Sequence, residues 1–351
     1  MLLKTAELKK VINALRFAVS KNDAIPILKN ICFRNDSLIT FNGSIGAIYP
    51  MELETAGFMV PFDKFAVFVN SITKDEVEIL VDDKNITLKA GKASSVLPFE
   101  SDEDYFNFDE IVESLSSDET VQVNYDFVNG LKLTNPFASK SSSRLALCGV
   151  YLKDDSLSAT DGMRIANCKL ERTISTDPVI FPTEFSKVVA SIDKFDGDRD
   201  ILIQDSKCIF YAGDYILFGN LMDGTGYPST DKFFPEFKKD ELIALPKQEL
   251  MKALKTVGDF TGEVIEYAEC LLSFGENISI SYAGETASIQ QILDFGKRLP
   301  KGGYNLNPYH LSVMLSNCDK FLLNDSMGVF YGESEDGRFK SVVAVKKKEK
   351  K

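Results

Sequence analysis

Val81-Asp82-Asp83-Lys84-Asn85-Ile86-Thr87-Leu88, Ile203-Gln204-Asp205-Ser206-Lys207-Cys208-Ile209-Phe210 and Leu323-Asn324-Asp325-Ser326-Met327-Gly328-Val329-Phe330 repeat one pattern along the chain. Each sets a polar Asp/Asn/Ser turn between two runs in which apolar side chains alternate, the reading of an antiparallel hairpin with one buried face. Asp83, Asp205 and Asp325 lie 122 and 120 residues apart. Upstream, the stretch Phe33 to Gly43 matches Tyr151 to Gly162, with Asp36 and Asp155 separated by 119. This period exceeds that of stacked solenoid units, so each copy is expected to hold its own core.

Working outward, each hairpin follows a short helical segment opened by a proline: Pro61-Phe62-Asp63, Pro182-Thr183-Glu184 and Pro308-Tyr309-His310. Each copy begins with a longer amphipathic segment, marked by Leu8, Val11, Ile12 and Leu15, by Phe127 and Leu131, and by Leu250, Leu254 and Val257. Two helices on antiparallel sheet make an α+β domain. The expected division is three repeated domains, 1–119, 120–241 and 242–351.

Composition narrows the function. The 351 residues are 44% hydrophobic and carry 40 Lys+Arg against 52 Asp+Glu, a net charge of -12. That balance argues against a broad basic surface holding nucleic acid. Apolar stretches fall short of a membrane span, and Met1-Leu2-Leu3-Lys4 runs into an amphipathic segment, so the expected location is the cytoplasm. Cys32, Cys148, Cys168, Cys208, Cys270 and Cys318 are dispersed and read as buried thiols, with neither a zinc nor a disulfide framework. One histidine, His310, leaves no imidazole-based triad, and its place at a helix start suits a capping or surface role. No phosphate loop, dinucleotide fingerprint or nucleophile elbow is present, and Ser101-Asp102-Glu103-Asp104 reads as a solvated loop. No cofactor, metal or catalytic residue is expected.

The positive charge is partitioned by repeat position. The first helical segments with their flanks, Lys4–Lys21, Asp126–Arg144 and Lys247–Lys255, hold 11 basic against 3 acidic residues, a net of +8 that leaves -20 for the rest. Glu favours helices as Lys does, yet it is scarce there. Like domains presenting these helices to one side would form a basic face suited to duplex DNA met through its backbone. Lys9, Lys10, Arg16, Lys21, Lys132, Lys140, Arg144, Lys252 and Lys255 are the residues expected to face DNA.

Ala159-Thr160-Asp161-Gly162-Met163-Arg164-Ile165-Ala166 resembles the A-T-D-G-H-R-L-A motif of the bacterial β sliding clamps, the processivity subunits of DNA polymerase III. Leu221 to Pro235 resembles their L-V-D-G-x-F-P-D-Y-R-R-V-L-P, Ile25 to Asn30 their L-P-I-L-x-N, and Asp104 to Asp109 their D-F-P-N-L-D. The resemblance implies a clamp fold of three like domains and a head-to-tail homodimer closed around double-stranded DNA. It also implies loading by an ATP-driven clamp loader, no enzymatic activity, and tethering of DNA polymerase and other proteins that carry a clamp-binding motif.

Partner peptides with a Gln and hydrophobic anchors would then dock on Arg144, Leu147, Thr160, Gly162, Met163, Arg164, Ile165, Pro228, Lys232, Phe233, Val342, Val343, Ala344 and Val345. Departures from the family are Met163 for His, Asp231-Lys232 for a basic pair, one extra residue at Thr225-Gly226, and Ala344 for a larger Met. The Lys346 to Lys351 end reads as an unstructured basic arm. Such divergence fits a phage-encoded clamp. Two other readings stand beside this one: a clamp-fold interaction hub or viral structural protein that does not encircle DNA, and an enzyme using Asp161 and Arg164.

Overall fold

The structure, a computed structural model, describes residues 1–34, 36–52, 57–82, 84–105, 120–191, 199–204, 206–238, 241–265, 267–295 and 302–348. Asp83, Asp205, the Phe106–Asp109 part of one motif, the expected boundary at 119 and the last three residues lie outside the described residues.

Six helices stand where the repeat places them: α1 (Thr5–Leu15), α2 (Phe62–Ser71), α3 (Tyr125–Thr134), α4 (Thr183–Ser191), α5 (Lys247–Thr261) and α6 (Pro308–Asn317). α1 buries Leu8, Val11, Ile12 and Leu15, and α5 buries Leu250, Leu254 and Val257, single stripes at helical spacing. α5 stops at Gly262, whose φ of 67° gives the left-handed turn that closes a helix without Cβ strain. Pro61 and Pro182 end the strands that feed α2 and α4, whereas Pro308 is the first residue of α6.

All three hairpins are antiparallel. They pair 76–81 with 85–90, 199–204 with 207–212 and 320–324 with 329–333, closing at Val81 with Ile86, Gln204 with Lys207 and Asn324 with Val329. Ser206 and Gly328 take the positive φ that such tight turns demand.

The chain divides into two compact units, 1–128 with 187–222, and 129–186 with 223–351. In the first, a four-stranded sheet runs 2–4, 76–81, 85–90, 93–98. Its eight-stranded sheet runs 58–61, 30–34, 37–41, 45–50, 215–220, 207–212, 199–204, 121–123. Cys32, Ile39, Met59, Ile209 and Phe218 pack one face of the larger sheet, and the buried Tyr215 hydroxyl donates to the Ala14 carbonyl at 3.1 Å. In the second unit, strands 175–182, 149–154, 156–160, 164–169, 339–344, 329–333 and 320–324 follow one another in a large sheet, and a five-stranded sheet runs 288–294, 277–283, 270–274, 302–306, 346–347.

In both units a strand of one repeat pairs with a strand of the next: 45–50 with 215–220, and 164–169 with 339–344. The sheets thus continue through the repeat boundaries, which is why the compact units part inside α3 and α4 of the middle repeat. Lys346–Lys347 does not begin an unstructured arm: it adds a strand beside Tyr304–Asn305, with Lys347 paired to Asp325. The unpaired backbone groups of strand 302–306 supply the reason.

Five cysteines are buried and Cys148 is half-buried. Burial pushes the thiols of Cys32, Cys270 and Cys318 up to about 12. Among the described residues no helix is long and apolar enough to cross a membrane.

Candidate functional site

The A-T-D-G-M-R-I-A motif folds as a strand, a tight turn and a strand. Thr160 ends strand 156–160, and its hydroxyl donates to the Arg164 carbonyl at 2.8 Å while accepting the Gly162 N–H at 3.1 Å. Asp161 Oδ1 accepts the N–H groups of Met163 and Arg164 at 2.9 and 3.0 Å, an Asx turn. Gly162 has a φ of 94°, a conformation that side chains with a Cβ rarely adopt. Asp161 Oδ2 accepts Arg164 Nε at 2.8 Å, and the buried guanidinium lies 5.2 Å from the Phe137 ring centroid. Both Asp161 and Arg164 are thereby committed to holding the turn.

That turn meets the C-terminal strand. Arg164 and Ile165 pair with Val343 and Val342, the Ala344 N–H donates to the Met163 carbonyl at 2.8 Å, and the Val345 N–H donates to Gly328 at 2.8 Å. Beneath them Ile165, Val329, Tyr331 and Val342 form one cluster, against which Phe234 and Phe237 pack. Lys232 and Phe233 directly precede Phe234, and Lys232 Nζ stands 5.2 Å from the Phe233 ring centroid. A Cβ on Gly162 would lie 4.0 Å from Arg144 Nη1, which fixes Arg144 at the same turn. Leu147 is buried at the end of its segment, and Pro228 is exposed next to Tyr227, whose ring stacks on Tyr151 at 4.4 Å.

Of the sequence-derived pocket residues, Arg144, Thr160, Gly162, Met163, Arg164, Ile165, Val342, Val343 and Ala344 thus meet at one turn of the second unit. Sequence reasoning missed Leu145, which at 65% exposure stands out with Met163 at 58% as the most solvent-facing apolar groups there. It also misplaced His310. This histidine is buried, with Nε2 4.0 Å from Asp161 Oδ2, and the helix cap is the Asn307 side chain, which accepts the N–H groups of Tyr309 and His310. Exposed apolar Met163, with Arg144 beside the same turn, offers a surface on which an extended peptide with apolar anchors can seat.

The residues expected to face DNA differ among themselves. Arg16 and Lys21 in the first unit, and Lys132, Lys140, Arg144, Lys252 and Lys255 in the second, are exposed. Lys10 is exposed as well, but Lys9 is half-buried and donates to the Ile72 carbonyl at 2.6 Å, satisfying the end of α2. Lys247, which entered the charge count, is tied to Asp319 at 2.8 Å.

None of the protein-family models matches the chain. A curated beta sliding clamp of Bacillus subtilis (strain 168) is 30% identical over 259 residues, 66% of this chain and 66% of that protein. One from Streptococcus pneumoniae is 26% identical over 258 residues, 64% of this chain and 65% of its own length. The chain thus aligns with about two thirds of the length of these curated relatives. Solved structures match further: the beta subunit from DNA polymerase of Streptococcus pyogenes superposes with a TM-score of 0.83 at 18% identity, over 99% of both chains. A DNA polymerase sliding clamp from Bacillus subtilis gives 0.79 at 19% identity, also over 99% of both. Sequence similarity over 66% of the chain and a shared fold along 99% of it place this protein, as a divergent member, in the β sliding clamp family.

Proposed function

We propose that the protein is a processivity factor: a homodimeric sliding clamp of three clamp domains per subunit, 1–119, 120–241 and 242–351, that encircles duplex DNA and tethers DNA polymerase. The observation that carries this reading is the sliding-clamp fold along nearly the full chain. The exposed cations on the first helical segments, from Arg16 to Lys255, supply weak phosphate contacts that are screened at physiological salt. Weak contacts favour sliding, and enclosure rather than affinity retains the DNA. Tethering raises the polymerase's effective concentration at the primer, so processivity comes from geometry and no reaction is catalysed.

The turn around Gly162 would receive the polymerase, the clamp loader and other partners through short peptides. Self-association is supported by two sheet edges. Strand 93–98 ends one sheet and strand 288–294 ends another, and each exposes an apolar residue, Val96 and Ile292. Phe260, Val264, Ile265 and Tyr267, all exposed, precede strand 270–274 in that second sheet. Edges that are unpaired among the described residues and carry apolar cover are what strand pairing between subunits consumes, and joining unlike edges gives a head-to-tail contact that closes by symmetry.

Protein loaded on nicked circular DNA is expected to stay with it on gel filtration and to be lost when the circle is cut. Retention on linear DNA with open ends would overturn the reading.

A further inference from the structure

The chain does not stop at the turn that strand 339–344 covers. Ala344 donates its N–H to the Met163 carbonyl at 2.8 Å, Val345 donates to the Gly328 carbonyl at 2.8 Å, and Lys346–Lys347 then pairs with Asn305 and Tyr304. Lys348 continues the ladder, donating its N–H to the Gly303 carbonyl at 2.8 Å. Extended chain covers about 7 Å in two residues, so Lys346 opens a cationic strand immediately beside the Met163 turn.

The three lysines are not equivalent. Lys347 pairs with Asp325, which also accepts the Tyr304 hydroxyl at 2.6 Å. Lys347 and Tyr304 together hold the Asp325 carboxyl below the usual carboxylate range, and they pin the strand on one face. Side chains alternate along a strand, so Lys346 and Lys348 leave on the other. Both are exposed, and among the described residues neither forms an ion pair. At the turn itself the carboxylate of Asp161 is tied to Arg164. A protein of net charge -12 thus presents two ammonium groups on a fixed backbone next to its exposed Met163.

On an unstructured tail these lysines would attract any anion without register. Paired as a strand, they stand at a set offset from Met163, and a set offset lets charge discriminate between sequences. Duplex DNA would use the same cations without covering Met163.

We infer that Lys346 and Lys348 make this site selective for peptides that carry Asp or Glu beside their apolar anchors. The inference rests on the reading of the Met163 turn as a peptide site and names the chemistry of its partner. Two fluorescein-labelled peptides of about ten residues, each with one Gln and a Leu-Phe anchor pair, are titrated with the full chain, one flanked by Glu and the other by Gln. Anisotropy is read at about 50 mM and about 500 mM salt.

At the lower salt the Glu-flanked peptide is expected to bind about fivefold tighter, the effect of two exposed charge pairs, and the advantage should shrink at the higher salt. Lys346→Gln/Lys348→Gln should abolish the advantage, and Lys346→Arg/Lys348→Arg should keep it. Lys64→Gln/Lys84→Gln removes the same net charge from two exposed positions of the first unit and should keep it too.

Equal affinity of the two peptides for the wild type, or an advantage that survives Lys346→Gln/Lys348→Gln, would overturn the inference and leave the peptide site standing. Loss of the advantage in Lys64→Gln/Lys84→Gln would do the same. A surviving advantage with weaker binding of a duplex of about 20 base pairs would assign the two lysines to DNA instead. Binding of neither peptide would overturn the peptide site and the inference together.

Discussion

Gly162 and Gly43 are 119 residues apart, with φ of 94° and 97°, each following a residue whose side-chain oxygen caps the turn, Asp161 and Asn42. The same backbone solution recurs, but only the second copy adds Arg164, held between Asp161 and Phe137. That ion pair is largely buried, so its loss leaves a carboxylate without its partner. Arg164→Ala is expected to weaken a partner peptide about tenfold, and Leu147→Asp at least as much, by placing a charge on a buried apolar position. Both should leave the native mass unchanged. Isothermal titration with a clamp-binding peptide checks the first, and light scattering the second.

The Asp161 turn was legible in the motif. Leu145 was not, because its exposure depends on a 3-10 segment, Ser142–Leu147, in which Arg144 departs from helical dihedrals.

Among the elements, α6 shows how local chemistry sets a boundary. Asn307 accepts two N–H groups, at 2.9 and 3.1 Å, and donates to the Ile265 carbonyl at 2.7 Å. Asn307→Ala should cost about 1 kcal/mol in urea unfolding, while Asn307→Asp keeps the cap oxygens and should lose less. The cap also sets the orientation of the first turn of α6, which brings His310 toward Asp161.

Helix positions could be read from apolar spacing and prolines because both act within a turn or two of the chain. The fate of His310 could not, since its partner is 149 residues away. The same holds for the Lys-rich end: its charge suggested an arm, but the open edge of strand 302–306 takes it up as a strand.

At the scale of the whole molecule, assembly hangs on edges. If strand 288–294 and the exposed group ending at Tyr267 meet the edge strand 93–98 of a second copy, the native mass should be about twice 39.1 kDa. Ile292→Asp combined with Tyr267→Asp should give a monomer of unchanged circular dichroism, because both side chains are already solvent-facing in the single chain. A persistent dimer in light scattering would place the subunit contact elsewhere.

The repeat period, the hairpins, the six helices and the α+β class follow from the residues alone, since alternation and helical periodicity are short-range consequences of which side chains avoid water. Tertiary structure alone decided that 45–50 pairs with 215–220 and 164–169 with 339–344, making two compact units from three sequence repeats. It also decided that Lys9 is spent on a carbonyl while Arg16 and Lys21 stay exposed. Backbone hydrogen bonds between strands carry no side-chain signature, so which edges meet depends on the whole chain finding partners for its buried polar groups.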